Sequence, residues 1–360
     1  MLTQIRQTPL GRRGILRTNH GEIQTPFFMP VGTAGAMRGI THRDLLELGA
    51  QILLCNTYHL HIQPGENVIE QAGGLHKFVH WGKPILTDSG GYQVFSMRHL
   101  NKIVKDGVHF RSHVNGDALF LGPESAMRIQ HALGADIIMC FDHCPPSKSS
   151  RKEIEQAVER TLRWAKECKK WHEELSRKSP HPPLLFGIVQ GGVERNLREK
   201  CTEELIAMEF DGYAIGGLAV GEQPDEMFGI IDSVSPLLPE EKPRYLMGVG
   251  MIDQLRMSVS KGMDMFDCVL PMRLARHGHI LLSDGSDLRI TRSEYREAHI
   301  PIDADSPSPL SRTHLRSYLH HLFKAGERLA ETIACMQNLG VTLKAMQELR
   351  SEMDGMNIEH

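Results

Sequence analysis

The segment Met265-Phe266-Asp267-Cys268-Val269-Leu270-Pro271 carries the clearest indication of the fold. An apolar run typical of a buried β-strand delivers one carboxylate, Asp267, and Pro271 then ends the run. Burying a carboxylate in a strand is costly unless the group is paired or used in chemistry. A strand that ends in such a group and then breaks is typical of the active-site rim of a (β/α)8 barrel. A structural aspartate that caps a loop would give the same local pattern.

Seven earlier segments repeat this design, an apolar run that ends in polar residues or glycine: 27–33, 52–58, 85–91, 136–142, 185–192, 212–219 and 245–250. Amphipathic helical patterns follow most of the runs, and the clearest cover 123–134, 150–178, 193–208 and 251–262. Near-continuous apolar strands that alternate with helices indicate a parallel sheet buried on both faces. Eight such units favour a closed barrel whose chemistry lies at one rim. We therefore predict an α/β fold, an irregular (β/α)8 TIM barrel.

The remaining segments predict additions to this barrel. Residues 1–278 form the barrel core, which includes a small N-terminal β element, a hairpin at 14–25, and a β-hairpin insertion at 94–121. The turn signal of that insertion is Val114-Asn115-Gly116-Asp117. Residues 279–360 form a second insertion and a C-terminal helical subdomain, helical over 315–352, which packs on the barrel as one unit.

Composition excludes several classes of protein. The 360 residues suit a barrel with insertions, and no apolar run approaches the roughly 20 residues that span a bilayer. The start of the chain has no apolar signal-peptide core, and the seven cysteines contain no CxxC pair, so we expect reduced thiols and a cytoplasmic protein without a membrane. The net charge of −3 means that any RNA partner must be bound by a local basic patch.

Three strands present an aspartate at the predicted rim: Asp88, Asp142 and Asp267. Like charges in one pocket repel, which favours separate roles for the three groups. A carboxylate suits the N–H groups of a guanine edge, and Gln190 with a glycine backbone N–H suits its acceptors. Two carboxylates acting on a sugar C1′ follow the logic of retaining glycosidases. Three aspartates at a rim can equally bind a divalent metal. A barrel glycosidase is disfavoured because only 6% of the residues are aromatic.

Six motifs then identify a family resemblance over nearly the whole chain: Pro30-Val31-Gly32-Thr33, Asn56-Thr57-Tyr58-His59-Leu60, Thr87-Asp88-Ser89-Gly90-Gly91-Tyr92-Gln93, Val189-Gln190-Gly191-Gly192, Gly217-Leu218-Ala219-Val220-Gly221-Glu222 and the Asp267 strand. In this order and spacing they resemble a bacterial-type tRNA-guanine transglycosylase (queuine tRNA-ribosyltransferase). The resemblance implies an irregular (β/α)8 barrel and a pentosyltransferase of queuosine biosynthesis. It also implies exchange of guanine at anticodon position 34 for a 7-deazaguanine precursor.

The resemblance assigns a role to each matching position. Asp267 resembles the nucleophile that forms a covalent ribosyl-aspartate, and Asp88 resembles the general acid/base. The implied base-binding positions are Ser89, Gly90, Gly91, Tyr92, Gln93, Asp142, Gln190, Gly217, Leu218 and Met247, with Asn56 near the ribose. The implied RNA-binding positions are Gly248, Val249, Gly250, Met251, Ile252, Asp253, Met272, Arg273, Leu274, Ala275 and Arg276.

The implied partners are a tRNA whose anticodon begins with guanine 34 and uridine 35, free guanine, a preQ1-type base and a second copy of the chain as a homodimer. The loop Leu218-Ala219-Val220 resembles the bacterial version, which prefers preQ1 to queuine. His143, where the family usually has glutamate, and Met272, where it has threonine, depart from the pattern and bear on specificity.

The chain departs most clearly at the family's structural zinc site, which normally has three cysteines and a histidine. The matching positions here are Ser306, Ser308, Ser311 and Gln337. Hydroxyls and an amide are poor zinc ligands, so we predict no structural zinc and no other cofactor. Loss of the zinc site raises a second hypothesis, a non-catalytic tRNA-binding partner subunit of the same fold. A third is a related base-exchange enzyme that acts on another nucleic acid. Retention of Asp88, Asp142 and Asp267 favours the active transglycosylase.

Overall fold

A computed structural model of the chain describes residues 2–92, 101–112, 114–146, 148–219 and 221–356; Gln93 and Val220 lie outside these ranges. The described strands are β1 Leu2–Thr8, β2 Gly11–Thr18, β3 Gly21–Thr25, β4 Phe27–Met29, β5 Leu53–Asn56, β6 Ile85–Asp88, β7 Asn101–Val104, β8 Gly107–Arg111, β9 Ala118–Leu121, β10 Ile137–Met139, β11 Leu184–Val189, β12 Gly212–Ile215, β13 Arg244–Leu246, β14 Met265–Asp267, β15 His279–Leu281 and β16 Asp287–Arg289.

Eight of these strands form one parallel sheet in the order β5-β6-β10-β11-β12-β13-β14-β4. The sheet closes beyond β4, where Val31 bridges Leu54 and the Gly32 N–H donates to the Leu54 carbonyl at 2.8 Å. The eight strands are those that the sequence predicts, and the α/β barrel is confirmed. Most strand residues are buried, because one face lines the barrel interior and the other contacts the helices.

The described α-helices are α1 His42–Glu47, α2 Thr57–Ile62, α3 Glu66–Gln71, α4 Leu75–Val79, α5 Pro123–Leu133, α6 Arg151–Ser176, α7 Arg195–Ile206, α8 Pro224–Val234, α9 Ile252–Ser260, α10 Leu270–Arg276, α11 Pro309–Thr313, α12 Arg316–Ala325 and α13 Arg328–Gly355. Local sequence explains their limits. Thr41 and Ser150 cap α1 and α6 through capping boxes with Asp44 and Glu153. Gly134 ends α5 at φ 71°, a conformation that glycine adopts without strain.

Two additions differ from the sequence-based prediction. The insertion between β6 and α5 is a three-stranded antiparallel sheet, β7-β8-β9, rather than a single hairpin. The predicted turn at Asn115-Gly116 joins β8 to β9, and β7 adds a third strand to their pair. The predicted helix over 315–352 is two helices, because Gly326 ends α12 at φ 70°. The N-terminal hairpin is confirmed as β2 and β3, with β1 completing a small sheet.

Helix α13 attaches the C-terminal region to α10, the helix that follows the Asp267 strand, and to β15. Asn338, in the middle of α13, donates from Nδ2 to the carbonyl oxygens of Pro271 at 3.0 Å and His279 at 2.9 Å. Its Oδ1 accepts from the Leu281 N–H at 2.9 Å. One buried amide therefore holds the start of α10 and the β15 strand in place. Among the described residues, none of the helices is long and apolar enough to span a bilayer.

Candidate active site

The carboxyl ends of three barrel strands bring the three predicted aspartates to one rim. Asp88 is the last residue of β6, Asp267 is the last residue of β14, and Asp142 follows β10 after two residues. The pKa of Asp142 is raised to about 7: burial is the main cause, the charge of Asp88 contributes to the rise, and the hydrogen bond from Gln190 opposes it. Burial also raises the pKa of Tyr245, and the charges of Asp267 and Asp88 add to that effect. At this rim Asp88 therefore interacts with Asp142 on one side and with the Tyr245–Asp267 pair on the other.

Asp267 is held by one of its two carboxylate oxygens. Its Oδ1 accepts hydrogen bonds from Tyr245 Oη at 2.7 Å and from the Gly248 N–H at 3.0 Å. Burial raises the pKa of Asp267, and these two hydrogen bonds oppose the rise because they stabilise the carboxylate. No hydrogen bond to Oδ2 occurs among the described residues. This geometry orients the carboxylate through Oδ1 and leaves Oδ2 without a hydrogen bond from the described part of the chain.

Asp88 is oriented by Asn56, the last residue of the neighbouring strand β5. Asn56 Nδ2 donates to Asp88 Oδ2 at 2.9 Å, and Asn56 Oδ1 caps helix α2 by accepting the His59 N–H at 3.3 Å. Asn56 is buried at 3% exposure. Both ends of its amide are therefore engaged within the protein. The ribose contact that the resemblance implies for Asn56 stays a prediction, whereas its support of Asp88 is a contact in the structure.

Asp142 forms the centre of a second group of polar residues. Gln190, directly after β11, donates from Nε2 to Asp142 Oδ2 at 2.7 Å. Gln190 Oε1 is buried and has no hydrogen-bond partner among the described residues. Two glycines let the backbone approach: a Cβ on Gly91 would lie 2.9 Å from Asp142 Oδ1, and a Cβ on Gly217 would lie 2.5 Å from Gln190 Oε1. The group thus presents a buried carboxylate and an unpartnered acceptor beside bare backbone, a surface suited to a flat polar ligand.

The other predicted base-binding residues surround this group to different degrees. Ser89 is fully buried, and its Oγ accepts from the Gly91 N–H at 3.3 Å. Gly90 has φ 83°. Tyr92 is 53% exposed and Met247 is half-buried, so both side chains are accessible to a ligand. Leu218 is 3% exposed.

The predicted RNA-binding segments divide by burial. Gly248, Met251 and Asp253 are exposed and Ile252 is half-buried, but Val249 and Gly250 are buried. On α10, Arg273 is exposed and Arg276 and Leu274 are half-buried. Met272 and Ala275 are 6% and 0% exposed, because they form the apolar face with which α10 packs on the core. An RNA contact through these two buried side chains stays a prediction, and Arg273 and Arg276 are the more accessible candidates on this helix.

Sequence reasoning missed two residues of the rim. Tyr245 looked like an ordinary apolar strand residue, yet its hydroxyl orients Asp267. Arg198 lies on α7 and is fully buried, with its guanidinium bonded to the loops after β11 and β12. The sequence feature that could have identified Arg198 is its position on the buried face of α7, between Leu197 and Cys201. His143 is half-buried, and its Nδ1 lies 2.7 Å from an Arg160 guanidinium nitrogen.

The four positions of the family's zinc site do lie together, and all are buried. Ser306 Oγ donates to Gln337 Oε1 at 2.6 Å, while Gln337 Nε2 donates at 2.8 Å to both the Leu281 carbonyl and Asp303 Oδ2. The hydroxyls of Ser308 and Ser311 are buried without a partner among the described residues. Neutral hydroxyls and an amide do not fit zinc, which prefers thiolate and imidazole. The set is a buried polar core in which the side chains of Ser306 and Gln337 are hydrogen-bonded.

One cluster in the described part of the chain has three metal-ligating side chains close together: His20, His76 and Asp136. It lies at the opposite end of the barrel, because Asp136 precedes β10. The two imidazoles stack with centroids 3.5 Å apart and bond separate oxygens of Asp136 at 2.8 and 3.0 Å. Each oxygen also accepts a backbone N–H, from His20 and from Ile85. Parallel rings do not converge on one ion, so the cluster acts as a structural tie.

Comparison with known proteins identifies one family. The family model described as "Queuine tRNA-ribosyltransferase" matches residues 7–359. A queuine tRNA-ribosyltransferase of Caldanaerobacter subterraneus subsp. tengcongensis is 49% identical over 339 residues, 94% of this chain and 89% of the relative. That of Halothermothrix orenii is 48% identical over the same shares. That of Clostridium perfringens strain 13 is 45% identical over 357 residues, 98% of this chain and 94% of the relative.

The fold and the rim define a barrel enzyme of the pentosyltransferase class. The chain belongs to the queuine tRNA-ribosyltransferase family, as the sequence motifs predict.

Proposed function

We propose that this enzyme exchanges guanine at anticodon position 34 of tRNA for a preQ1-type 7-deazaguanine through a covalent ribosyl-aspartate. The observation that carries the proposal is the shared rim of Asp267, Asp88 and Asp142 with its distinct supports. Asp267 is oriented through one oxygen and has its other oxygen unbonded among the described residues. Asp88 is held by the amide of Asn56, and Asp142 is paired with Gln190. Three carboxylates with three separate environments suit three separate roles.

The reaction is a double displacement at C1′ of the target nucleotide. Asp267 Oδ2 attacks C1′, a C1′–O bond forms, and the C1′–N9 bond breaks with its electron pair on the leaving guanine. Asp88 transfers a proton to that guanine. The incoming base then gives its N9 proton to Asp88 and attacks C1′, and the Asp267 carboxylate leaves. The hydrogen bonds from Tyr245 and Gly248 stabilise Asp267 as a carboxylate at both ends of this sequence.

Base recognition follows from the hydrogen-bonding groups around Asp142. An ionised Asp142 accepts the N1–H and N2–H of guanine or of preQ1. Gln190 and the backbone near Gly217 contact the opposite acceptors. The support is that Gln190 is buried and that Gly217 has no Cβ, which would otherwise lie 2.5 Å from Gln190 Oε1. A preference for preQ1 is supported by the bacterial-type loop at Leu218 and Ala219, whose backbone is bonded to Glu222.

The RNA partner is a tRNA whose anticodon loop offers guanine 34 followed by uridine 35. Loop nucleotides unstack at low cost, so the target base can leave the stack and enter the rim. Arg273 and Arg276 lie in the last turn of α10, the helix that follows the Asp267 strand, and supply cationic groups for flanking nucleotides or phosphates.

The enzyme works without structural zinc in this proposal, because the Ser306–Gln337–Asp303 network occupies the place of the metal. Chelation therefore leaves activity unchanged. A homodimer is supported by exposed apolar residues in the same subdomain, with Ile300 52%, Leu315 36% and Tyr318 38% exposed. Sedimentation velocity of Tyr318→Glu should show monomer, whereas Leu237→Glu, an exposed apolar residue elsewhere, should stay dimeric.

The central experiment is incorporation of labelled guanine into a tRNA with a guanine–uridine anticodon. We expect incorporation by the native enzyme and by Asp225→Asn, an exposed control, and none by Asp267→Asn. Denaturing electrophoresis should also show a tRNA-bound protein band that requires Asp267. Unlabelled preQ1 should compete more strongly than queuine.

Other outcomes would identify the alternatives. Tight tRNA binding without exchange would indicate a non-catalytic tRNA-binding partner subunit. Exchange into DNA but not tRNA would indicate a related enzyme for another nucleic acid. Exchange by Asp267→Asn at the native rate would contradict the assigned nucleophile.

A further inference from the structure

We propose that Arg198 is a positioning residue that aims two backbone N–H donors at the base and strengthens them as the glycosidic bond breaks. The proposal rests on the proposed function and assigns a role to a residue that does not touch the reacting atoms.

The guanidinium of Arg198 ties together the ends of two neighbouring barrel strands. Its Nη1 donates to the carbonyl oxygens of Val189 and Gly216, both at 2.7 Å, and its Nε donates to the Gly192 carbonyl at 2.8 Å. A fourth, longer contact of 3.5 Å joins Nη2 to the Gly217 carbonyl. Val189 and Gly192 flank Gln190, and Gly216 and Gly217 follow β12. One side chain therefore sets the position of Gln190 relative to the loop that faces it.

These contacts determine where the N–H groups point. The peptide bonds after Gly216 and Gly217 are trans, so each N–H points away from its carbonyl. Because both carbonyls face Arg198, the N–H groups of Gly217 and Leu218 face the other side. No acceptor for either N–H occurs among the described residues, although the Gly216 N–H is bonded to the Val189 carbonyl at 3.0 Å. The Gln190 amide, which bonds Asp142, lies beside Gly217, because a Cβ on Gly217 would lie 2.5 Å from Gln190 Oε1.

The charge of Arg198 has no close counter-ion. Burial lowers the pKa of Arg198 to about 10, so the side chain remains a cation at neutral pH. Among the described residues, no carboxylate oxygen lies within 4.0 Å of it, and Glu222 acts on it only at longer range. The hydrogen-bond partners of the guanidinium in the described part of the chain are all carbonyl oxygens. Hydrogen bonding at a carbonyl polarises the whole peptide group and makes its N–H a stronger donor.

This polarisation favours the transition state over the ground state. When the C1′–N9 bond breaks, negative charge develops on the leaving guanine and spreads to its O6. Preorganised N–H donors stabilise such charge more than they stabilise the neutral base. Loss of Arg198 should therefore lower kcat for guanine exchange more than it raises KM for tRNA.

The test compares Arg198→Met and Arg198→Lys with Arg195→Met, an exposed arginine on the same helix. Removing one oxyanion donor typically costs 10²–10³ in kcat, so we expect a loss of about 100-fold in Arg198→Met. Arg198→Lys, which keeps the charge but reaches fewer carbonyls, should retain intermediate activity. Arg195→Met should match the native enzyme. Added guanidinium should partly restore Arg198→Ala, because it can occupy the vacated site.

Amide hydrogen exchange of residues 212–219 supplies a readout that does not depend on activity. Faster exchange in Arg198→Met and Arg198→Lys than in Arg195→Met is expected. If the native enzyme exchanges no guanine, the proposed function fails, and hydrogen exchange alone decides whether Arg198 holds the loop. Native kcat in Arg198→Met, or unchanged hydrogen exchange at 212–219 in both Arg198 variants, would overturn the proposal. So would an equal loss in Arg195→Met.

Discussion

Asp142 is the residue at which folding and function conflict most directly. Its pKa rises from 3.8 to about 7, and burial is the main cause. Between these two values the folded chain retains a proton that the unfolded chain has released. Stability therefore falls as pH rises from about 4 to about 7, and the lost stability stays lost at higher pH. A full shift of this size corresponds to about 4 kcal/mol, of which about 2–3 kcal/mol develops between pH 5 and pH 8.

Asp142→Asn removes this cost, because an amide does not ionise and its oxygen still accepts from Gln190 Nε2. The variant should gain about 2–3 kcal/mol relative to the native enzyme on going from pH 5 to pH 8. Urea unfolding at both pH values measures the difference, and Asp225→Asn serves as the exposed control. Native and variant stabilities that run parallel between pH 5 and pH 8 would refute the reasoning.

The functional consequence has the opposite sign. Guanine needs the ionised form of Asp142 as an acceptor for two N–H groups. With a pKa of about 7, kcat/KM for guanine should fall about tenfold from pH 8 to pH 6. Asp142→Asn should bind guanine poorly at every pH while folding more stably. A variant that binds guanine as the native enzyme does would exclude Asp142 from base recognition.

Three further predictions concern neighbouring features. Tyr245→Phe removes a hydrogen bond that lowers the pKa of Asp267. The acidic limb of the kcat/KM profile should therefore move to higher pH, and kcat should fall about tenfold or more. An unchanged pH profile would contradict this role. Gly217→Ala places a Cβ 2.5 Å from Gln190 Oε1 at φ +65°, and KM for guanine should rise roughly tenfold in steady-state assays, with native KM as the contrary result. Treatment with EDTA should leave the melting temperature and the hydrogen exchange of residues 300–346 unchanged, whereas a loss of several degrees would indicate a structural metal.

The barrel was predictable because its signal is repeated and local. Each strand combines an apolar run with a polar end, and burial on both faces leaves little choice of pattern. The predicted elements differ from the structure at two places, and each difference depends on one local feature. Gly326 ends α12 and divides one predicted helix into two. Strand β7 pairs with β8, a contact that its four residues, none of them buried, do not predict.

The aspartates were predictable as candidates because a carboxylate at the end of an apolar strand is rare without a use. The residues that orient these aspartates by hydrogen bonds were not predictable. Tyr245 and Asn56 look like strand and cap residues until their hydrogen bonds to Asp267 and Asp88 are known. Met272 shows the reverse case, since its place in an RNA-reading motif does not reveal that it packs in the core.

The sequence by itself therefore determined the family, the eight-stranded barrel and the three carboxylates, because these depend on residue types and their order. Only the tertiary structure decided which oxygen of Asp267 is bonded, that Arg198 joins two strand ends, and that three serines and Gln337 form a buried polar core. Such features depend on distances between residues far apart in the chain. A hydrogen bond forms or fails within a few tenths of an ångström, and residue order does not encode that precision.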